Sequence, residues 1–113
     1  MRILVVEDEV FVALDLEQEL RTRGHEVLGP ASTLAEAHAL VEETDLDLAL
    51  LDVNVRGDMP RALAEELRER EIPFAYVSGY DEAFIKTNLP SAPVLPKPLH
   101  AQALSDLLRE VAA

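Results

Sequence analysis

The chain has 113 residues, no cysteine, 10 basic and 22 acidic residues, and a formal net charge of −12. Its 49% hydrophobic content suits one domain with its own core, predicted over residues 1–113. The absence of cysteine excludes disulfides, zinc–thiolate sites and cysteine nucleophiles. No apolar run approaches the roughly 20 residues that span a bilayer, and three acids interrupt the apolar N-terminal segment. We therefore expect a cytoplasmic protein without a membrane partner, and the lack of a basic cluster argues against nucleic-acid binding.

Apolar runs typical of strands alternate with segments of helical periodicity along the chain. The predicted strands are residues 2–6, 25–31, 46–55, 73–78 and 92–95, and the main helices are residues 10–23 and 99–111. Between them, Thr33-Leu34-Ala35-Glu36 has the pattern of a capping box, and Asp58 is predicted to cap a third helix with Pro60 in its first turn. Residues 81–88 allow two helical turns at most, so the fourth helix should be short or irregular.

Strictly alternating strands and helices predict a parallel sheet with helices on both faces. Five strand–helix units in this length are typical of a flavodoxin-like, doubly wound α/β fold with strand order 2-1-3-4-5. In that order strands one and three are neighbours at the point where the winding reverses. Ligands of open α/β sheets bind in the crevice at this point.

Residues 46–55 form the most apolar predicted strand, which indicates a central position in the sheet. Asp52 lies near its carboxyl end, where an acid is costly to bury without partners. The position is reasonable if the strand ends in a ligand crevice. A purely structural alternative, in which Asp52 caps the next helix, stays open at this point.

Polar or charged residues follow the other strands as well: Glu7 and Asp8 after strand one, Ser78 at the end of strand four and Lys97 after strand five. Because parallel strands end at one edge, these side chains should converge with Asp52. Three close carboxylates repel one another, and a divalent cation, Mg²⁺ for oxygen-only ligands, removes the conflict. A free carboxylate, a metal, a lysine and a hydroxyl are the components of an aspartyl-phosphate site.

Taken singly, each of these residues also has an ordinary structural interpretation. The acids after strand one suit a helix N-terminus, Ser78 suits a turn before Gly79, and Lys97 suits a solvated surface. Their joint occurrence at successive strand ends favours the functional interpretation.

The chain resembles the receiver (CheY-like) domains of two-component response regulators over essentially its whole length. The matching features are Val5-Val6-Glu7-Asp8-Glu9, Leu50-Leu51-Asp52, Gly57, Ser78 and Lys97-Pro98. The resemblance implies that Asp52 is the phosphoacceptor, that Ser78 binds a phosphoryl oxygen in the active state, and that Lys97 pairs with the phosphoryl group. It also implies that Asp8, Asp52 and the backbone carbonyl of Asn54 bind Mg²⁺, with Glu7 acting through water. The Lys97–Pro98 peptide is implied to be cis.

Within the family, residues 73–80 resemble alphaproteobacterial stand-alone receivers with a Phe-x-x-[Thr/Ser]-Gly-Tyr-like fourth strand. That narrower resemblance implies kinases of the HWE or a related type. The chain departs from the family at Val94, where the switch aromatic of strand five usually lies. Val94 is small and stiff, so we predict that Tyr80, just after Ser78 and Gly79, transmits phosphorylation instead. An ordinary surface position for Tyr80 is the alternative.

We therefore expect a stand-alone receiver that accepts phosphate from a histidine kinase or phosphotransfer protein and is not a metabolic enzyme. No effector domain follows Ala113, so output through an unknown downstream protein or by phosphate shuttling is expected unless the sequence is a fragment. One alternative is a Toprim-like metal-dependent phosphotransferase or nuclease, in which Glu7 and the Asp52-Val53-Asn54 segment hold the metal. Another is a binding module that acts without phosphorylation.

Overall fold

Five strands and five helices alternate along the computed structural model, which describes all 113 residues. In chain order they are β1 (Arg2–Val6), α1 (Val10–Thr22), β2 (Glu26–Ala31), α2 (Leu34–Glu43), β3 (Leu48–Asp52), α3 (Arg61–Glu69), β4 (Phe74–Ser78), α4 (Glu82–Asn88), β5 (Val94–Pro96) and α5 (Ala101–Ala112). No helix combines the length and the apolar character needed to cross a bilayer.

All strand pairings are parallel, and the sheet order is β2-β1-β3-β4-β5. The flavodoxin-like doubly wound architecture and its strand order are thus confirmed. β1 and β3 are direct neighbours, with Val6 opposite Leu51. Glu7 therefore follows β1 at the level where β3 ends with Asp52. This register brings Glu7 and Asp52 to the same edge of the sheet.

The core lies on both faces of the sheet, because the alternating side chains of its central strands point to opposite sides. Every residue of β3 and β4 is buried. Helices α2, α3 and α4 cover one face, while α1 and α5 cover the other, packing leucines against it. A strand covered on both faces cannot shift its register without exposing apolar surface. Its carboxyl end is therefore held in a fixed position.

Of the two helix caps predicted from the sequence, the one for α2 is confirmed and the one for α3 is wrong. Thr33 caps α2 as predicted, and its side-chain oxygen accepts a hydrogen bond from the Glu36 amide at 3.1 Å. The prediction that Asp58 caps the third helix was wrong, because α3 begins at Arg61, after Pro60. Asp58 instead pairs with Val55 through two backbone hydrogen bonds of 2.8 and 3.0 Å. The fourth helix is short, as expected, with seven residues.

Candidate functional site

Three carboxylates meet where β1 and β3 end. Glu7 and Asp8 directly follow β1, and Asp52 is the last residue of β3. One oxygen from each of the three carboxylates lies within 4.8 Å of the others. Glu7 and Asp52 are buried, with 3% and 6% of their surfaces exposed, and Asp8 is half-buried. The structure therefore brings together the acidic cluster that the sequence predicted.

Lys97 reaches this cluster from the far side of β4. Its ammonium nitrogen lies 3.1 Å from Glu7 Oε2, 3.5 Å from Asp52 Oδ1 and 3.9 Å from Glu9 Oε1. The Lys97 backbone amide donates to the Ser78 carbonyl at 2.9 Å, which fixes the start of the side chain at the end of β4. The Lys97–Pro98 peptide is cis. One cation is thus shared among three acidic side chains.

Burial and the neighbouring charges together set the pKa values of Glu7, Asp52 and Lys97. Burial and, after it, the negative charge of Asp52 raise the pKa of Glu7 to about 7, while contacts with Lys97 oppose the shift. Burial also raises the pKa of Asp52, against the lowering effects of Lys97 and the Asn54 amide. Burial alone would lower the pKa of Lys97, but its hydrogen bond to Glu7 and the surrounding negative charges raise it. The carboxylates therefore lack enough positive charge to be ionised together at low cost.

A divalent cation fits this set of groups, because the donors are oxygens and the uncompensated charge is negative. Asp8 and Asp52 line an open cleft of about 400 Å³ together with Glu9, Asn54, Gly79, Tyr80 and Lys97. The Asn54 amide donates to Asp52 Oδ1 at 3.3 Å, and the Asn54 side-chain oxygen accepts from the Gly57 amide at 2.8 Å. Since its side chain is engaged in that turn, the backbone carbonyl is the oxygen that Asn54 has left to offer.

Tyr80 lines the cleft, and Ser78 lies two residues before it at the end of β4. Ser78 is buried at the end of β4, and its hydroxyl oxygen accepts a hydrogen bond from the Tyr80 amide at 2.9 Å. The Ser78 hydroxyl proton remains available to a further acceptor. Tyr80 is 47% exposed, and its ring stacks on that of Phe84, with ring centroids 5.0 Å apart. Tyr80 therefore contacts both the serine and the first turn of α4.

Two features of the site were missed by sequence reasoning. The Arg56 amide donates a hydrogen bond of 2.9 Å to Asp8 Oδ2, from a turn 48 positions further along the chain. Lys97 lies closer to Glu7 than to Asp52, whereas the family resemblance implied only that Lys97 pairs with the phosphoryl group on Asp52. The Arg56-Gly57 pair gave a signal for a turn, but only the folded chain shows that the turn reaches Asp8.

Comparisons with known proteins point consistently to one family. A crystal structure of the receiver domain from the hybrid histidine kinase CckA has a TM-score of 0.82 and 31% identity, with 100% of both chains covered. The solution structure of SdrG from Sphingomonas melonis Fr1 has a TM-score of 0.82 and 34% identity, covering 100% of this chain and 97% of SdrG.

Among curated proteins, the phyllosphere-induced regulator PhyR of Methylorubrum extorquens is 30% identical over 112 residues. The match covers 96% of this chain but 42% of PhyR. The chain thus spans less than half the length of this relative. No protein-family model matches the chain.

Proposed function

This chain belongs to the receiver (CheY-like) domains of response regulators, and we propose that it accepts a phosphoryl group on Asp52 from a protein donor of a two-component system. The observation that carries the proposal is the position of Asp52. It ends a fully buried strand, opens onto the cleft, and lies 3.5 Å from the Lys97 ammonium. No other acid of the cluster combines these three properties.

The chemistry follows from the charges around Asp52. A carboxylate oxygen of Asp52 attacks phosphorus, the bond from phosphorus to the donor breaks, and the donor leaves with that electron pair. Lys97 offsets negative charge on the phosphoryl oxygens, and the Ser78 hydroxyl donates a hydrogen bond to one of them. Asp8, Asp52 and the Asn54 carbonyl would hold Mg²⁺, with Glu7 acting through water. When bound, the ion supplies further charge neutralisation and orients the phosphoryl oxygens.

The reverse half of the cycle needs water and no second protein. Water attacks the phosphoryl group, the bond from phosphorus to Asp52 breaks with its electron pair staying on the carboxylate, and inorganic phosphate leaves. In this proposal the chain turns over its own phosphoryl group and has no metabolic substrate. Signal output would then pass through a protein whose binding depends on the phosphorylated state.

The donor we propose is a histidine kinase or a phosphotransfer protein. Helix α1 starts directly after Glu9, which lines the cleft, and presents Val10, Phe11 and Leu14 to solvent with 67%, 83% and 53% of their surfaces exposed. Exposed apolar side chains grouped on one helix face are typical of a protein interface. A donor bound there would place its phosphoryl group beside Asp52. A cytoplasmic location is part of the proposal, since such kinases use ATP.

The narrower assignment to kinases of the HWE type rests on residues 73–80. In that segment three residues, not two, separate Phe74 from Ser78. Because this spacing differs from that of the motif, the proposal names the donor by its broad class, a histidine kinase or a phosphotransfer protein. Phosphotransfer assays with a panel of HWE-type and other histidine kinases would show whether the donor is of the HWE type or of another histidine kinase class.

Mass spectrometry tests the central claim. After incubation with acetyl phosphate and Mg²⁺, the wild-type chain should gain about 80 Da, the mass of one phosphoryl group. Asp52→Asn should remove the gain, while Asp45→Asn, an exposed acid outside the cleft, should leave it unchanged. Equal labelling of wild type and Asp52→Asn would remove Asp52 as the acceptor. If the full mass gain persists with excess chelator, the phosphorylation does not require a metal ion.

A further inference from the structure

The turn that follows the phosphoacceptor strand has an unusual residue in it. Val55 and Asp58 are joined by two backbone hydrogen bonds, and between them Arg56 and Gly57 have φ angles of +52° and +88°. Two successive positive φ angles at the central positions define a type I′ turn. Glycine, asparagine and aspartate are the residues favoured at the first of these positions. Arginine there is locally unfavourable, because its Cβ crowds the backbone in the left-handed region.

Both ends of Arg56 are engaged in contacts with other segments. Its backbone amide donates to Asp8 Oδ2 at 2.9 Å, and this is the hydrogen bond that the Asp8 carboxylate has within the protein. Its guanidinium Nε donates to the Ser32 carbonyl at 3.0 Å, in the loop between β2 and α2. Arg56 thus ties the turn after β3 to the β2–α2 loop and, at the same time, to an acid after β1.

These contacts give a reason for a strained residue at this position. Strain in a backbone persists where the surrounding structure holds it, and it is concentrated at functional sites. In this turn the Arg56 amide donates to Asp8, and the Arg56 side chain anchors the turn to the Ser32 carbonyl. With Oδ2 held by the amide, Asp8 is restricted in rotation and keeps its other oxygen available.

We propose that Arg56 is a positioning residue, which orients the Asp8 carboxylate for cation binding beside Asp52. This inference rests on the proposed function, in which Asp8 is a metal ligand. Partners that orient metal ligands commonly change metal affinity by about 10- to 100-fold when they are removed. Arg56 acts through its amide and its anchor to Ser32, without touching the reacting atoms.

The charge of Arg56 predicts the opposite effect, which makes the proposal testable. A positive charge on Arg56, whose amide is bonded to Asp8, opposes the binding of a second cation at the carboxylates, so loss of that charge alone would strengthen Mg²⁺ binding. Loss of its anchoring contact would weaken Mg²⁺ binding. The sign of the change therefore separates positioning from simple electrostatics.

The test compares the wild-type chain with Arg56→Asn. Calorimetric titration with Mg²⁺ measures the Kd of each protein, and thermal unfolding without metal measures the Tm of each. Asparagine suits the type I′ position, so metal-free Arg56→Asn should unfold at the same temperature as wild type or higher. Its Kd for Mg²⁺ should nevertheless rise about tenfold. Arg56→Lys, which keeps a donor on a long side chain, should recover part of the affinity. Arg61→Asn is the matched control, because Arg61 is exposed and makes no side-chain hydrogen bond or ion pair.

If Arg56→Asn folds poorly, Arg56→Gly preserves the positive φ and carries the same expectation. Mg²⁺ binding by Arg56→Asn or Arg56→Gly as tight as that of wild type, or tighter, overturns the positioning role while the proposed function stands. A wild-type chain that does not respond to Mg²⁺ at all overturns the positioning role together with the metal site on which it rests, while labelling of Asp52 tests the proposed function separately.

Discussion

Lys97 Nζ lies 3.1 Å from Glu7 Oε2, and both side chains are largely buried, with 20% and 2% of their surfaces exposed. The lysine expected to serve the phosphoryl group is therefore engaged with a different acid in the unphosphorylated protein. If Glu7, Asp8, Asp52 and Lys97 are all ionised, their formal charge is −2, which one divalent cation cancels. The ion pair holds Lys97 close to Asp52 before any phosphoryl group arrives.

This charge balance predicts that Mg²⁺ stabilises the fold. At a Mg²⁺ concentration about 100 times its Kd, binding to the folded state raises the free energy of unfolding by about 2.7 kcal/mol. Thermal unfolding with and without Mg²⁺ should show a clear rise in Tm for the wild-type chain. Asp8→Ala should abolish the rise, because it removes a ligand.

The matched control for that experiment is Asp15→Ala, which removes an exposed acid on α1. Both variants lose one negative charge, so a response that depends only on overall charge would fall equally in both. A rise in Tm that survives in Asp8→Ala would place the cation elsewhere on this acidic surface.

The strand-end argument reached the acidic cluster because it depends on topology alone. Once β1 and β3 are parallel neighbours, Glu7 and Asp52 must share an edge whatever the side-chain detail. The orientation of Asp8 depends instead on the amide of Arg56, which a turn with two positive φ angles places there. Residue type does not specify that geometry, since arginine is a poor choice for the turn. The prediction for Asp58 failed for a related reason. Its position before Pro60 suggested a helix cap, but its backbone is hydrogen-bonded within the same turn.

A second prediction concerns pH and lies far from the cleft. His25 Nδ1 is 2.9 Å from the amine of Met1, and burial, with the positive charges of that amine and Arg23, lowers the pKa of His25 below 6.5. Between the lowered pKa and 6.5 the unfolded chain binds more protons than the folded one, so stability rises with pH. The contribution of His25 to the free energy of unfolding is therefore fully present above about pH 6.5, and it is lost as the pH falls through the lowered pKa of His25.

Urea unfolding at pH 5.5 and 7.5 measures this effect as a difference between wild type and His25→Gln, so that groups common to both cancel. Wild type should lose more stability on acidification than the variant does. His100→Gln, an exposed histidine without a side-chain cap contact, should behave like wild type. Equal pH dependence in wild type and His25→Gln would show that the contact with the N-terminus has no effect on stability.

A third prediction follows from the net charge of −12. Binding of a phosphate backbone depends on released counterions and therefore on clustered lysines and arginines. We expect no change in fluorescence anisotropy when labelled duplex DNA meets the chain at roughly micromolar concentration and physiological salt, with or without Mg²⁺. Binding under those conditions would revive the Toprim-like alternative, and Mg²⁺-dependent cleavage of the DNA would favour it over a receiver.

The last prediction concerns how phosphorylation is transmitted without an aromatic residue at position 94. Val94 lies directly opposite Tyr76 across β4 and β5. Tyr76 is fully buried and its hydroxyl donates to the Pro90 carbonyl at 2.7 Å, so an aromatic ring already fills this part of the core. A ring that is packed and hydrogen-bonded in this way is a poor switch. The exposed ring of Tyr80 is the freer candidate.

The contact between Ser78 and Tyr80 supplies the coupling. The Ser78 hydroxyl oxygen accepts the Tyr80 amide at 2.9 Å, so movement of Ser78 toward a phosphoryl oxygen would weaken that bond. Tyr80 stacks on Phe84, and the released loop would change this stacking at the start of α4. In NMR spectra with beryllofluoride and Mg²⁺, the Tyr80 ring signals should therefore shift more than those of Tyr76. Tyr80→Ala should lose phosphorylation-dependent partner binding, and Tyr80→Phe, which keeps the ring, should retain most of it. Unshifted Tyr80 signals together with full binding by Tyr80→Ala would place the switch elsewhere between residues 80 and 93.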